Sequence, residues 1–182
     1  MLFSIIASAL LMCGHGVFAA PDRNTLSVNR PSKPLLRYTG PVTPPQLKYA
    51  FTAKVDWDLD NNHTIETPVG TQTSFWSREG YWYDTKGRQI GEVLRANDDG
   101  IVAPGTNYLE LVINYVVKLE DGYWAYATHT GIAILRQTQN GIVRVKTESP
   151  KYKWLNWVDF IAPGSFNKTE VKTIHHYFPT SD

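Results

Sequence analysis

From residue 47 onward the chain consists of short apolar or alternating runs separated by turn residues. The runs 47–56, 73–83, 89–95, 108–119, 123–135, 142–148, 152–161 and 170–178 predict eight β-strands. Asp60-Asn61-Asn62, Lys86-Gly87, Asp98-Asp99-Gly100, Asp121-Gly122, Asn140-Gly141 and Pro163-Gly164 mark the turns between them. No stretch carries apolar residues at i, i+3, i+4, i+7 with caps, so no helix is expected in this region. Strands at near-regular spacing imply an all-β sandwich or barrel.

One hairpin permits a register. Asp121-Gly122 reads as a two-residue type I′ turn, which would pair Glu120 with Tyr123. Asn114 then faces His129, Val112 faces Gly131 and Glu110 faces Ala133. This face combines small residues with Glu110, Asn114 and His129, as a ligand-holding lumen requires. The opposite face, which includes Leu111, Ile113, Tyr115 and Val117 with Trp124 and Tyr126, is large and mostly apolar. From the residues alone, the small-residue face could equally be the solvated outside.

The run Pro150-Lys151-Tyr152-Lys153-Trp154-Leu155-Asn156-Trp157 is unusual because, as a strand, it would present aromatics on both faces. With the Phe160-Ile161 pair and Gly164 that follow, it resembles the closing segment of the DUF3237 (UPF0311) family. Asp121-Gly122, the strand through Gly131, the segment 47–55 and Pro68-Val69-Gly70 resemble other parts of that family. The resemblance covers roughly residues 46–178. It implies a single antiparallel, calycin-like β-barrel of about eight or more strands, with the small-residue face lining its lumen. It also departs from the family pattern. Asn114 stands where an Arg is expected and Val112 where an acid is expected, which implies a neutral or phenolic ligand.

Fungal members of that family include ring-closing enzymes of natural-product pathways, which add a hydroxyl across an alkene. The resemblance therefore implies a cofactor-independent cyclase or isomerase acting on a small aromatic or polyketide-derived molecule. On this reading His129 transfers the proton and Glu110 is its partner acid, while Asn114, Gly131, Trp154 and Asn156 bind substrate. The alternative is a secreted, non-catalytic carrier or host-interaction protein.

The beginning of the chain changes the picture of its destination. Residues 2–12 form an apolar run too short to span a bilayer, and Val17-Phe18-Ala19 precedes Ala20 in an A-x-A-like cleavage pattern. The expected domains are a signal peptide over 1–19, a Pro-rich arm over 20–45 and the β domain over 46–182. Cys13 is the single cysteine and would leave with the signal, so the mature chain would hold no disulfide or thiolate site. Asn62-His63-Thr64 and Asn167-Lys168-Thr169 are N-glycosylation sequons and fit a secretory route.

The formal net charge of +1 gives no field for steering toward nucleic acid or an anionic membrane. His175 and His176 are adjacent on one strand, so their rings should take opposite faces and not chelate one metal together. Asp56, Asp58 and Asp60 lack the glycine and distant glutamate of a calcium loop and read as a solvated turn. No phosphate-loop, dinucleotide or zinc-hydrolase motif occurs. No cofactor is expected.

Overall fold

The computed structural model of the protein describes residues 47–180. The expected signal peptide with Cys13 and the Pro-rich arm lie outside the described residues. Among the described residues nine strands are present: β1 (Phe51–Thr67), β2 (Gly70–Asp84), β3 (Gln89–Val102), β4 (Tyr108–Leu119), β5 (Trp124–Ile134), β6 (Thr138–Thr147), β7 (Asp159–Ile161), β8 (Gly164–Asn167) and β9 (Lys172–Pro179). They form one antiparallel sheet, and pairing of β9 with β1 closes it into a barrel-like ring. Closure removes the free edges that an open sheet of alternating strands would expose. A 3-10 helix, Lys153–Trp157, is the one helical element among the described residues.

Alternation sets the inside. Leu109, Leu111, Ile113, Tyr115 and Val117 of β4 are buried, while Glu110, Val112 and Asn114 between them are exposed. On β5 the buried set is Ala125, Ala127, His129 and Ala133. Small residues on β5 leave room for the large ones of β4 beside them.

Three expectations are corrected. The β4–β5 register differs from the expected one by a single residue: Lys118 pairs with Trp124, Asn114 with Thr128 and Ile113 with His129. The loop has three residues, Glu120-Asp121-Gly122, closed by Leu119 N–H to the Tyr123 carbonyl (2.8 Å) and Gly122 N–H to the Leu119 carbonyl (2.9 Å). Gly122 takes φ 88°, the left-handed position of a three-residue bulged hairpin. Glu120 enters the loop because distant groups hold it there: Tyr152 Oη donates to it at 2.5 Å, and Lys151 forms an ion pair with it. Ser149 Oγ holds Asp121 in the same way.

The run 152–161 is also not one strand. The aromatic segment winds into the 3-10 helix, so Leu155 turns inward while Trp154 and Trp157 stay exposed. Finally, three expected turns lie inside strands. Asp60-Asn61-Asn62 forms a bulge in β1, between the pairs Asp58–Trp76 and His63–Ser74. Asp98-Asp99-Gly100 belongs to β3 and Asn140-Gly141 to β6. The β5–β6 turn is made instead by Leu135-Arg136-Gln137.

The interior is graded along the ring axis. One end is packed solid by aromatics: Phe51 stacks on Tyr177 with centroids 4.3 Å apart, and Trp82 and Phe160 close around them. Trp154 of the 3-10 helix lies against Phe160 at 5.9 Å. The other end, at the β1–β2, β3–β4 and β5–β6 turns, holds a cavity.

Candidate functional site

Between the aromatic plug and the cavity runs a belt of buried polar groups. The His129 and His175 rings meet edge to face with centroids 4.8 Å apart. Glycine makes this possible. A Cβ on Gly141 would lie 2.5 Å from His129 Nε2, and one on Gly164 would lie 2.2 Å from His175 Cδ2. Burial depresses the pKa of His129 to about 4 and holds that of His175 well below the usual imidazole range, so both rings are neutral at pH 7. Both His129 nitrogens are buried without a hydrogen-bond partner among the described residues, and the buried Tyr115 and Tyr177 hydroxyls have only each other as partners nearby.

His175 Nε2 lies 2.5 Å from Gln139 Oε1. The amide oxygen can only accept, so Nε2 carries the proton and the Gln139 amino group takes no part in this bond. Trp57 Nε1–H donates to Thr173 Oγ1 at 3.0 Å, which likewise leaves the threonine hydroxyl proton available.

Above this belt lies a cavity of about 300 Å³. Phe75, Val102, Leu109 and Phe166 give it apolar walls, and Asp98, Gln139 and Thr173 form its polar base. Its size suits one small bicyclic molecule. Asp98 is the unusual group. It is 3% exposed, and among the described residues no hydrogen bond lowers the pKa of its carboxyl. Desolvation, and then the charge of neighbouring Asp99, push its pKa up to about 7. A carboxyl group that is half protonated near neutrality can give or take a proton without help from a cofactor. Tyr115 is near enough that the Asp98 charge raises its pKa further, after burial and the charge of Tyr177.

The expected site residues are scattered. His129 is inside the ring but belongs to the belt below the cavity and does not line it. Glu110 and Asn114 face outward, and Asn114 accepts a hydrogen bond from Thr128 Oγ1 at 3.1 Å. The one-residue difference in register separates them from His129. Gly131 sits where a Cβ would lie 2.2 Å from the Asn140 carbonyl oxygen, so the glycine permits close strand approach; with Glu110 it lines a separate groove that does not include His129 or Asn114. Trp154 is at the plugged end. There too, Asn156 clamps the Thr147 backbone, with Oδ1 accepting from Thr147 N–H (3.0 Å) and Nδ2 donating to its carbonyl (2.9 Å).

His175 and His176 take opposite faces, the second meeting Thr52 Oγ1 at 2.9 Å. Asp58 and Asp60 both hold Arg78, at 3.0 and 2.9 Å. Asn62 and Asn167 are exposed, and Asn62 lies on the cavity rim. Asp98 stands in a strand where the sequence predicts a turn. The signal for it was present in the alternation Ala96, Asp98, Gly100, which puts a carboxyl on the inward face of β3.

The molecule is thus defined as an all-β, barrel-like ring with a small-molecule-sized cavity at one end. Over residues 45–177 the chain matches the model of DUF3237, described as a protein of unknown function, and it belongs to that family. No curated protein matches the sequence. Solved structures match the fold. A protein with unknown function from Clostridium acetobutylicum ATCC 824 is 22% identical with TM-score 0.64, over 75% of this chain and 100% of that one. A beta-barrel like protein from Acinetobacter baumannii AYE is 19% identical with TM-score 0.60, over 76% and 98%. An enzyme from Penicillium herquei is 20% identical with TM-score 0.52, also over 76% and 98%.

Proposed function

We propose that this chain is a cofactor-independent cyclase or isomerase that acts on a small aromatic molecule held in the end cavity. Asp98, and not His129, is the acid–base group of this reading. The observation that supports it is the buried Asp98 carboxyl at the base of an apolar cavity, with a pKa of about 7. In a ring-closing hydroalkoxylation, the protonated carboxyl gives its proton to one alkene carbon. The hydroxyl oxygen bonds to the other carbon, and the alkene π bond is lost. The hydroxyl proton returns to the carboxylate, so the acid is restored and no electrons are exchanged with a cofactor. The Gln139 amide and Thr173 hydroxyl orient the oxygen, and the dry walls exclude competing water. A fungal natural-product setting and a secretory destination belong to the same proposal.

Incubating ortho-prenylphenol with the protein in D2O tests this reading. The expected product is the cyclic ether carrying one deuteron on carbon, formed by the wild type and not by Asp98→Asn. A second reading, a secreted carrier, is favoured by the rim position of Asn62, where a glycan would shield a bound ligand. Binding of the phenol without conversion, in wild type and variant alike, would select the carrier.

A further inference from the structure

We infer that Arg136 anchors an anionic group on the ligand, so that the cavity takes amphipathic aromatic acids with the apolar body inward and the carboxylate or acidic phenolate at the mouth. This inference rests on the end cavity being a small-molecule site, and it names the class of molecule.

Arg136 occupies the β5–β6 turn, where Gln137 N–H closes on the Ile134 carbonyl at 2.9 Å. Its φ is 55°, the left-handed region that favours glycine or asparagine. The chain carries both residue types close by, at Asn140-Gly141, yet Gly141 lies inside β6 against the His129 ring. The turn therefore holds an arginine in a conformation that L side chains rarely adopt. Strain of this kind is concentrated where a side chain must be delivered to a particular place. The place here is the rim of the cavity.

Among the described residues the Arg136 guanidinium has no counter-charge. Arg78, Arg88 and Arg144 each hold a carboxylate, and Arg95 lies over the Trp76 ring at 4.6 Å. Nor does Arg136 neutralise the other charged group of the cavity lining, since Asp98 forms no ion pair with it. A cation at the mouth, apolar walls and a polar base suit a flat acid that enters apolar edge first. The planar fork of an arginine matches a carboxylate with two hydrogen bonds. Position 114 faces outward, so the Asn in place of the expected Arg says nothing about the charge of a ligand in the cavity, and the expectation of a neutral ligand no longer follows.

The test is titration calorimetry of the full chain with 2-naphthoate and with its methyl ester. Wild type should prefer the carboxylate by about tenfold or more, as a charge-assisted contact implies. Arg136→Gln should abolish that preference while leaving ester affinity unchanged, and Arg136→Lys should keep part of it. Arg136→Gly should raise the melting temperature by relieving the turn, and still lose the preference. Equal affinity for acid and ester in the wild type, or a preference surviving in Arg136→Gln, would overturn the inference. Both ligands failing to bind would overturn it together with the small-molecule site. Selective binding of the acid with no ring closure in the alkene assay would sink only the catalytic reading.

Discussion

The two ends of the ring use their inward positions to opposite purposes. At the plugged end, Phe51, Trp82, Phe160 and Tyr177 fill the interior, and the 3-10 helix adds Leu155. At the open end, Asp98, Gln139 and Thr173 occupy equivalent inward positions and leave a cavity. Burying aromatics stabilises, whereas burying a lone carboxyl costs free energy unless it is protonated. The plug therefore offsets what the site costs. In such a ring, inward groups that oppose folding mark the place where chemistry is done.

The largest effect expected at the open end is on turnover. Asp98→Asn should lower ring closure by roughly 10²–10⁴-fold, the usual loss on removing an acid–base group. Measured with ortho-prenylphenol, a variant retaining wild-type rate would end the assignment of Asp98.

At the plugged end, Phe51→Ala should cost about 3–5 kcal/mol in urea unfolding. Acid affinity in the folded fraction should stay unchanged. A loss of affinity as large as the loss of stability would mean that the two ends are not separable.

The pH dependence of stability sharpens the comparison. Asp98 has a folded pKa of about 7 against 3.8 unfolded, so the folded state holds an extra proton between those values. Its stabilising contribution is present below 3.8, declines as pH rises through the window and is gone above about 7. The difference is at most about 4 kcal/mol, and Asp98→Asn should recover much of it at pH 8. His129 runs the other way: its folded pKa of about 4 lies below the unfolded 6.5, so stability is lost as pH falls from 6.5 toward 4. His175 adds in the same direction. Between about pH 4.5 and 6.5 the two histidines outweigh Asp98, so denaturant midpoints should rise with pH and level off near neutrality, and Asp98→Asn should make that rise steeper. A rise of unchanged slope in Asp98→Asn would place the titrating group elsewhere.

The smallest effect belongs to the outer face. Glu110→Ala should change stability by less than about 0.5 kcal/mol and leave turnover intact, as an exposed strand residue does. A strong loss of activity would return Glu110 to the site.

Much of the fold was legible in the runs themselves. β4 begins and ends where alternation placed it, and His175 and His176 divide between inside and outside as a period of two demands. The site was far less legible. Asp98, Gly100 and Gly141 have the composition of turns, and here such residues stand within strands because the interior needs a carboxyl, a close approach to Leu109 and space for an imidazole. His129 was rightly drawn inward but wrongly joined to Glu110 and Asn114, because Glu120 left the ladder to meet Tyr152 and Lys151.

By itself, then, the sequence determined that the chain is all-β and which side chains of each strand share a face, since alternation is a property of neighbours along the backbone. Only the tertiary structure decided which strands' faces meet. The β4–β5 register turned on contacts some thirty residues away. The raised pKa of Asp98 required Phe75, Leu109, Gln139 and Thr173, drawn from four other strands, to exclude water around one carboxyl. Desolvation is a property of the assembled cavity, and no local pattern encodes it.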